Sequence, residues 1–143
     1  MAMVEIMKAE PIHAHEVREL LKQLGYESQE LELISALTQR DDSSEVFIAK
    51  KGSQVIALMS LIYFFYFPIQ KSLCRITALI VDENLRNAGV GKKLINFAVT
   101  QAQTKSSAQL EVTTSLARKA TQAYYERIGF KKASYRYYLD ISN

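Results

Sequence analysis

Apolar positions along the chain recur at two spacings, and the spacing switches from segment to segment. Residues 4–10, VEIMKAE, read as a first strand. After Pro11 the apolar residues fall at Val17, Leu20, Leu21 and Leu24, a helical stripe that stops at Gly25. Residues 28–40, SQELELISALTQR, predict a second helix, with Ser28 as its cap and Leu31, Ile34 and Leu37 facing the core. The polar run DDSS then interrupts the chain. Two strands follow, EVFIAKK (45–51) and QVIALMSLIYFFY (54–66), joined at Gly52-Ser53 as a hairpin and ended by Pro68. A long strand, Leu73 to Val81, precedes the loop DENLRNAG. From Gly89 the period is helical again, with Val90, Leu94, Ile95, Ala98 and Ala102 on one face. AQLEVTT (108–114) reads as a strand, RKATQAYYERIG (118–129) as a helix closed by Gly129, and ASYRYYLDI (133–141) as a last alternating strand.

The predicted order is strand, two helices, three strands, helix, strand, helix, strand. Consecutive strands without intervening helices make this a mixed α/β sheet and exclude a fully doubly wound one. No repeat, low-complexity tract or linker divides the 143 residues, so one domain is expected. The apolar run Val55 to Ile69 falls short of the roughly 20 residues of a membrane helix, and its aromatic and β-branched content suits a buried strand.

Composition narrows the chemistry. The net charge of +3 suits an anionic ligand but is too diffuse to argue for nucleic acid, and no reading helix or base-stacking signature accompanies it. Cys74 is the only cysteine, which excludes an intrachain disulfide and a cysteine-rich zinc site. His13 and His15 are the only histidines, read as surface residues before the first helix, so no metal centre is expected. The first residues lack the basic and long apolar regions of a signal peptide, and a cytoplasmic protein is expected.

The stretch that carries chemistry is RNAGVGKKL, Arg86 to Leu94. A Walker A loop requires G-x-x-x-x-G-K-[ST]; here Lys93 follows Gly91-Lys92, and Arg86 stands where the first glycine belongs. A dinucleotide fingerprint requires G-x-G-x-x-G, and Leu94 occupies the third position. What remains is R-x-x-G-x-G between a strand and a helix. Glycines admit a close backbone approach, and successive N–H groups at a helix start can cradle a pyrophosphate, with Arg86 and Lys92 or Lys93 adding charge.

On these residues the chain resembles the GCN5-related N-acetyltransferases (GNAT). Their signature, a strand L-x-V followed by [RQ]-x-x-G-x-[GA], is matched by Leu79, Val81 and Arg86 to Gly91. Their second signature, a helix ending Y-x-x-x-G-F, is matched by Tyr125, Gly129 and Phe130. Ser115 and Arg118, and SYRYY from Ser134, match a subset of the family. The departures are Glu83 for a usual proline, Asn87 for a usual glycine, and Thr121 and Gln122 for an alanine and a histidine. None of these removes a backbone donor.

The resemblance implies a GNAT-type fold: a central mixed, largely antiparallel sheet with a splay, flanked by helices on both faces. It implies transfer of an acetyl group from acetyl-CoA directly to an amine of a small molecule, peptide or protein, without a metal. The cofactor would be held by Leu79, Ile80 and Val81 through their main chain, and by Arg86, Asn87, Ala88, Gly89, Val90, Gly91, Lys92 and Arg118. A backbone N–H near Val81 would steady the thioester oxygen. Tyr125 matches the family's general acid; a phenol outranks a thiol in pKa (about 10 against about 8.5), so it can protonate a leaving thiolate. For the base, Glu111 and a water chain both stay open, although an ion-pair role suits Glu111 better. Tyr26, Tyr63 and Phe65, with Phe64 and Tyr66, are candidates for an aromatic acceptor wall. Cys74 reads as an inert core thiol. The resemblance also admits a homodimer through the aromatic C-terminal stretch, and a non-catalytic acyl-CoA-binding module as the alternative to an enzyme.

Overall fold

The computed structural model describes residues 3–39, 41–86 and 88–142. Two compact units divide the chain, residues 1–113 and 114–143.

In the first unit, β1 (Val4–Lys8) leads through a turn at Pro11–His13 to α1 (Ala14–Leu24) and α2 (Glu30–Thr38). Then come β2 (Ser44–Lys51), β3 (Gln54–Tyr66), β4 (Lys71–Val81), α3 (Val90–Thr104) and the short β5 (Leu110–Val112). The strands lie in the order β1-β2-β3-β4-β5; the first four are antiparallel and β5 joins β4 in parallel. The sheet is therefore mixed and largely antiparallel, as the order of elements predicts.

Helices cover both faces, and adjacent residues of β2 show how. Ile48 packs in a cluster with Val17 and Leu20 of α1, Leu58 of β3 and Ile80 of β4, with Leu33 and Leu37 of α2 at its margin. Phe47 points the other way and meets Phe97 of α3 edge-on, with ring centroids 4.9 Å apart. Successive side chains on a strand take opposite faces, so a strand covered on both sides reads as an unbroken apolar run, as β2 and β3 do. Every residue of the predicted α3 stripe is buried.

Three expectations are corrected. Gln29, in extended backbone, precedes α2 without any side-chain cap, so Ser28 does not cap it. Leu37 packs against the core as expected, but Leu31 is 81% exposed and Leu33 takes a core position instead; Arg40, at the expected end of that helix, lies outside the described residues. The last strand does not form. In the second unit α4 spans Lys119–Arg127 and ends before Gly129, whose φ of 113° suits glycine. Residues 131–142 then run without regular structure, because an alternating segment becomes a strand only when a neighbouring edge accepts its N–H and C=O groups.

Among the described residues no helix is long and apolar enough to cross a membrane, and no group of three or more His, Cys, Asp or Glu is placed to hold a metal.

Candidate functional site

The site is built on β4. Its register with β3 shifts at one point: Ile76 faces Leu61 and Ala78 faces Ser60, which leaves Thr77 as an extra residue. Such a bulge reverses the faces of a strand. Before it, Cys74 and Ile76 lie opposite Tyr63 and Leu61; after it, Ala78 and Ile80 lie opposite Ser60 and Leu58, on the α1 side. The Thr77 hydroxyl is 2.5 Å from that of Ser60, which fastens the bulge.

The bulge also marks where β5 departs. Pairing between β4 and β5 covers only Cys74 to Ile76, yet β4 continues to Val81. The amide of Asp82 still donates to Ile56 of β3, 2.8 Å. Alternation then turns the N–H and C=O of Val81 and Leu79 outward, to the edge that β5 has left. The Val81 carbonyl accepts a bond there from Arg86 Nε, 3.1 Å. Ile80, between them, is buried on the α1 side and anchors the strand.

The loop after β4 is braced from both ends. Asp82 accepts from the amide of Asn84, and the amide of Glu83 donates to Gln23 of α1, 2.9 Å. Ala88 and Gly89 are exposed, and Gly89 precedes α3 at φ 81°, a left-handed conformation natural to glycine. Val90 is buried and fixes the first turn, while Gly91 and Lys92 continue it toward solvent. The N–H groups of Val90, Gly91 and Lys92 have no carbonyl a turn earlier to bond. No side chain caps them and no acidic residue stands in the first turn. Lys92 and Lys93 stand there instead, against the sign that a helix dipole favours. An anion at this end satisfies the free amides and the lysines together, and the pyrophosphate of coenzyme A fits that donor set. Lys93 is partly engaged, donating to the carbonyl of Val4 at 3.0 Å. Asn87, expected among these donors, lies outside the described residues.

The aromatic candidates separate. Tyr63 and Phe65 share a face of β3, but Phe65 is 62% exposed while Tyr63 is half-buried and donates its hydroxyl to Glu45, 2.7 Å. Tyr26, after α1, is 61% exposed. Glu45 itself is buried on β2 and takes a second contact from Lys8 Nζ, 3.0 Å, with Lys105 lying over the Tyr63 ring. Burial alone would raise its pKa, but the bonds from Tyr63 and Lys8 outweigh it and hold the carboxyl below its ordinary value. The same burial, with the bond to Glu45, drives the Tyr63 phenol up. Burial, with Glu45 and Glu111 nearby, pushes the Cys74 thiol up to about 11, which leaves it unreactive at neutral pH. Glu111 binds Arg75 Nε at 2.5 Å, and Arg75 also lies over the Phe64 ring.

In the second unit, Tyr125 is buried and packs edge-on against Phe130, centroids 5.5 Å apart, with Tyr124 on another side. Burial raises its pKa, and the positive charge of Arg118, ahead of α4, pulls the other way. The amide of Phe130 donates to the Tyr125 carbonyl, which locks the Gly129 turn under the ring. Gln122, which replaces a usual histidine, donates to the carbonyls of Ser115 and Leu116 and holds the turn that carries Arg118.

Sequence comparison settles the lineage. The profile of the Acetyltransferase (GNAT) family matches residues 7–130. The chain belongs to the GNAT family. Its fold matches that of solved GNAT structures at low identity. An aminoglycoside N-acetyltransferase AAC(6')-Iy in complex with CoA superposes with a TM-score of 0.87 at 17% identity, over 99% of this chain and 96% of that one. A ribosomal-protein-alanine N-acetyltransferase from Brucella melitensis biovar Abortus 2308 gives 0.80 at 18%, over 97% and 100%. A transcriptional regulator from Bacillus halodurans C-125 gives 0.87 at 17%, over 97% and 100%. No curated protein matches the chain by sequence.

Two features of this GNAT chain escaped the sequence reading. The Thr77 bulge leaves no glycine or proline as a signal, and Cys74, Ile76, Ala78 and Ile80 keep an unbroken alternation through it although the two pairs take opposite faces of the sheet. Glu45 opens an apolar run and reads there as a strand-end charge, although it is buried and bonded.

Proposed function

We propose that this GNAT protein is a cytoplasmic N-acetyltransferase that moves the acetyl group of acetyl-CoA to an amine of a small molecule or peptide. The observation that carries the reading is the pairing of two donor sets on consecutive elements. One is the outward edge of β4 beyond Thr77; the other is the lysine-bearing, acid-free start of α3 after Gly89. The pantetheine arm is peptide-like and suits the first as an added strand would, and its pyrophosphate suits the second.

Bound acetyl-CoA supplies an activated thioester. On this reading the main chain of Leu79 and Val81 aligns the pantetheine amides, and the Val81 N–H steadies the thioester oxygen. Arg86 gives up its bond to the Val81 carbonyl and turns to the phosphates, with Ala88 to Lys92 supplying amide donors. Tyr125, whose raised pKa keeps it protonated at neutral pH, donates its proton to the departing sulfur. Arg118, whose positive charge acts on Tyr125, is the second unit's candidate contact to the cofactor. The acceptor amine enters past Tyr26 and Phe65, the exposed aromatics. Tyr63, tied to Glu45, shapes that wall from behind. The names of the structural neighbours make aminoglycosides and protein N-termini natural first acceptors.

The test is release of free thiol from acetyl-CoA by the whole chain over a panel of aminoglycosides, polyamines and N-terminal peptides. Turnover on at least one amine is expected. Tight acetyl-CoA binding with no turnover on any would favour a non-catalytic acyl-CoA-binding module on the same fold.

A further inference from the structure

One row of side chains crosses three strands on the α1 side of the sheet. Ile62 of β3 stands opposite Arg75 of β4, and Arg75 stands opposite Glu111 of β5. Phe64, two residues beyond Ile62, carries the Arg75 guanidinium over its ring at 4.9 Å. Thr77, two residues beyond Arg75, holds its hydroxyl against that of Ser60. The cluster that α1 and α2 cover reaches Leu58 and Ile80 and includes none of these residues. The first unit therefore brings an apolar floor, two hydroxyls, one cation and one anion together on one face.

The ladder between β4 and β5 closes at Ile76 and Val112, one residue beyond the charged pair, and the open edge of β4 begins there. The pair thus flanks the closed end of the gap that the proposed function gives to the acyl-bearing arm. It is also under-used. A guanidinium offers five N–H donors and an ionised carboxylate two oxygens. The described residues give the pair one bond, from Arg75 Nε to one oxygen of Glu111, and leave both Nη nitrogens and the second oxygen without a partner among them. The Phe64 ring holds the guanidinium plane, and such a fork binds a carboxylate through two parallel bonds. A cation and an anion side by side complement a ligand that carries a carboxylate and an amine on neighbouring atoms. A polyamine or an aminoglycoside, cationic throughout, is repelled by Arg75.

We propose that Arg75 sets the class of acceptor: a free α-amino acid, its carboxylate on the Arg75 Nη groups, its amine beside Glu111, and Ile62 and Phe64 as the apolar floor beneath it. The proposal rests on the acetyltransferase reading and narrows it, because the acceptor is chosen by its carboxylate as well as by its amine. Transfer joins the amine nitrogen to the acetyl carbon as the C–S bond breaks. The products are an N-acetyl amino acid and free coenzyme A, and the proton lost by nitrogen balances the one gained by sulfur.

The whole chain is assayed for thiol release from acetyl-CoA with a panel of α-amino acids, each beside its own carboxamide, which keeps the amine and lacks the negative charge. For at least one amino acid, kcat/KM is expected to exceed that of its amide by roughly ten- to a hundredfold, and the preference is expected to be lost in Arg75→Gln. A ratio taken within one protein does not depend on how much of it is folded. NMR of the arginine Nε–H groups supplies a readout without turnover. The signal that Arg75→Gln removes is expected to shift with the amino acid and not with its amide. Equal kcat/KM for acid and amide, a preference unchanged in Arg75→Gln, or turnover confined to amines without a carboxylate would overturn the proposal. An Arg75 signal that responds to the amino acid while no amine is turned over would support the carboxylate site and count against acetyl transfer. No shift and no turnover would count against both.

Discussion

Replacing Tyr63 by phenylalanine removes one oxygen and leaves the ring, so no cavity opens. What it takes away is the O–H bond to the Glu45 carboxylate, 2.7 Å long and partly sheltered from water. A hydrogen bond to a charged acceptor contributes about 1.5–3 kcal/mol. The remaining partner, Lys8, is 57% exposed, so its pairing with Glu45 is weakened by solvent and adds little, about 0–1 kcal/mol. The half-buried position of Tyr63 places the loss near the lower end, about 1.5–2 kcal/mol, or roughly 4–7 °C in Tm for a chain of this size. The loss depends on pH with a definite sign. The folded-state pKa of Glu45 is depressed, so its contribution is fully present above the unfolded value, about 4.3, and is lost as the pH falls through the folded value. Urea unfolding of native and Tyr63→Phe proteins at pH 7 and at decreasing pH below 5 measures this. The difference between them is expected to be largest at pH 7 and to shrink on acidification. A difference below about 0.5 kcal/mol at pH 7, or one constant with pH, would refute the bond to an ionised Glu45.

Three further outcomes are expected. Tyr125→Phe lowers turnover by roughly ten- to a thousandfold with little change in acetyl-CoA affinity; unchanged turnover in a thiol-release assay would remove Tyr125 from the chemistry. Gly89→Ala meets no atom within 4 Å of the new Cβ, so its folding cost comes from φ alone, about 1–2 kcal/mol by denaturant titration; calorimetry is expected to show acetyl-CoA affinity weakened by more than that. Leu94→Ala empties a position with no exposed surface on α3 and costs about 2–5 kcal/mol, read as a fall in the urea midpoint.

The parts of the fold legible in the sequence are those where periodicity left one solution. The Val90, Leu94, Ile95, Ala98, Ala102 stripe fits a helix with one buried face, and all five are buried. The hairpin at Gly52 and the stops at Gly25 and Gly129 follow from positive φ values that glycine adopts without strain. α2 was ambiguous because Leu31, Leu33, Ile34 and Leu37 support two overlapping stripes, and only the packing against α1 and β2 selects Leu33 and Leu37. The alternation of residues 133–141 is a true strand pattern, but pattern supplies a face and not a partner. At the site, the glycines and cations of Arg86 to Lys93 were readable because backbone conformation and charge are local properties. The bulge at Thr77 and the bond from Arg86 to the Val81 carbonyl depend on how β4 registers with β3, which no local spacing encodes.

Binding of acetyl-CoA along the edge of β4 and the start of α3 is measured by thermal unfolding. The whole chain is heated with acetyl-CoA, ATP or NAD at equal concentration. At about 100 times its dissociation constant a ligand adds roughly 2.7 kcal/mol to stability, enough to raise Tm by several degrees. That rise is expected with acetyl-CoA, well above any with ATP or NAD, and is expected to be smaller in Gly89→Ala. No rise with acetyl-CoA, or an equal one with ATP, would contradict that binding.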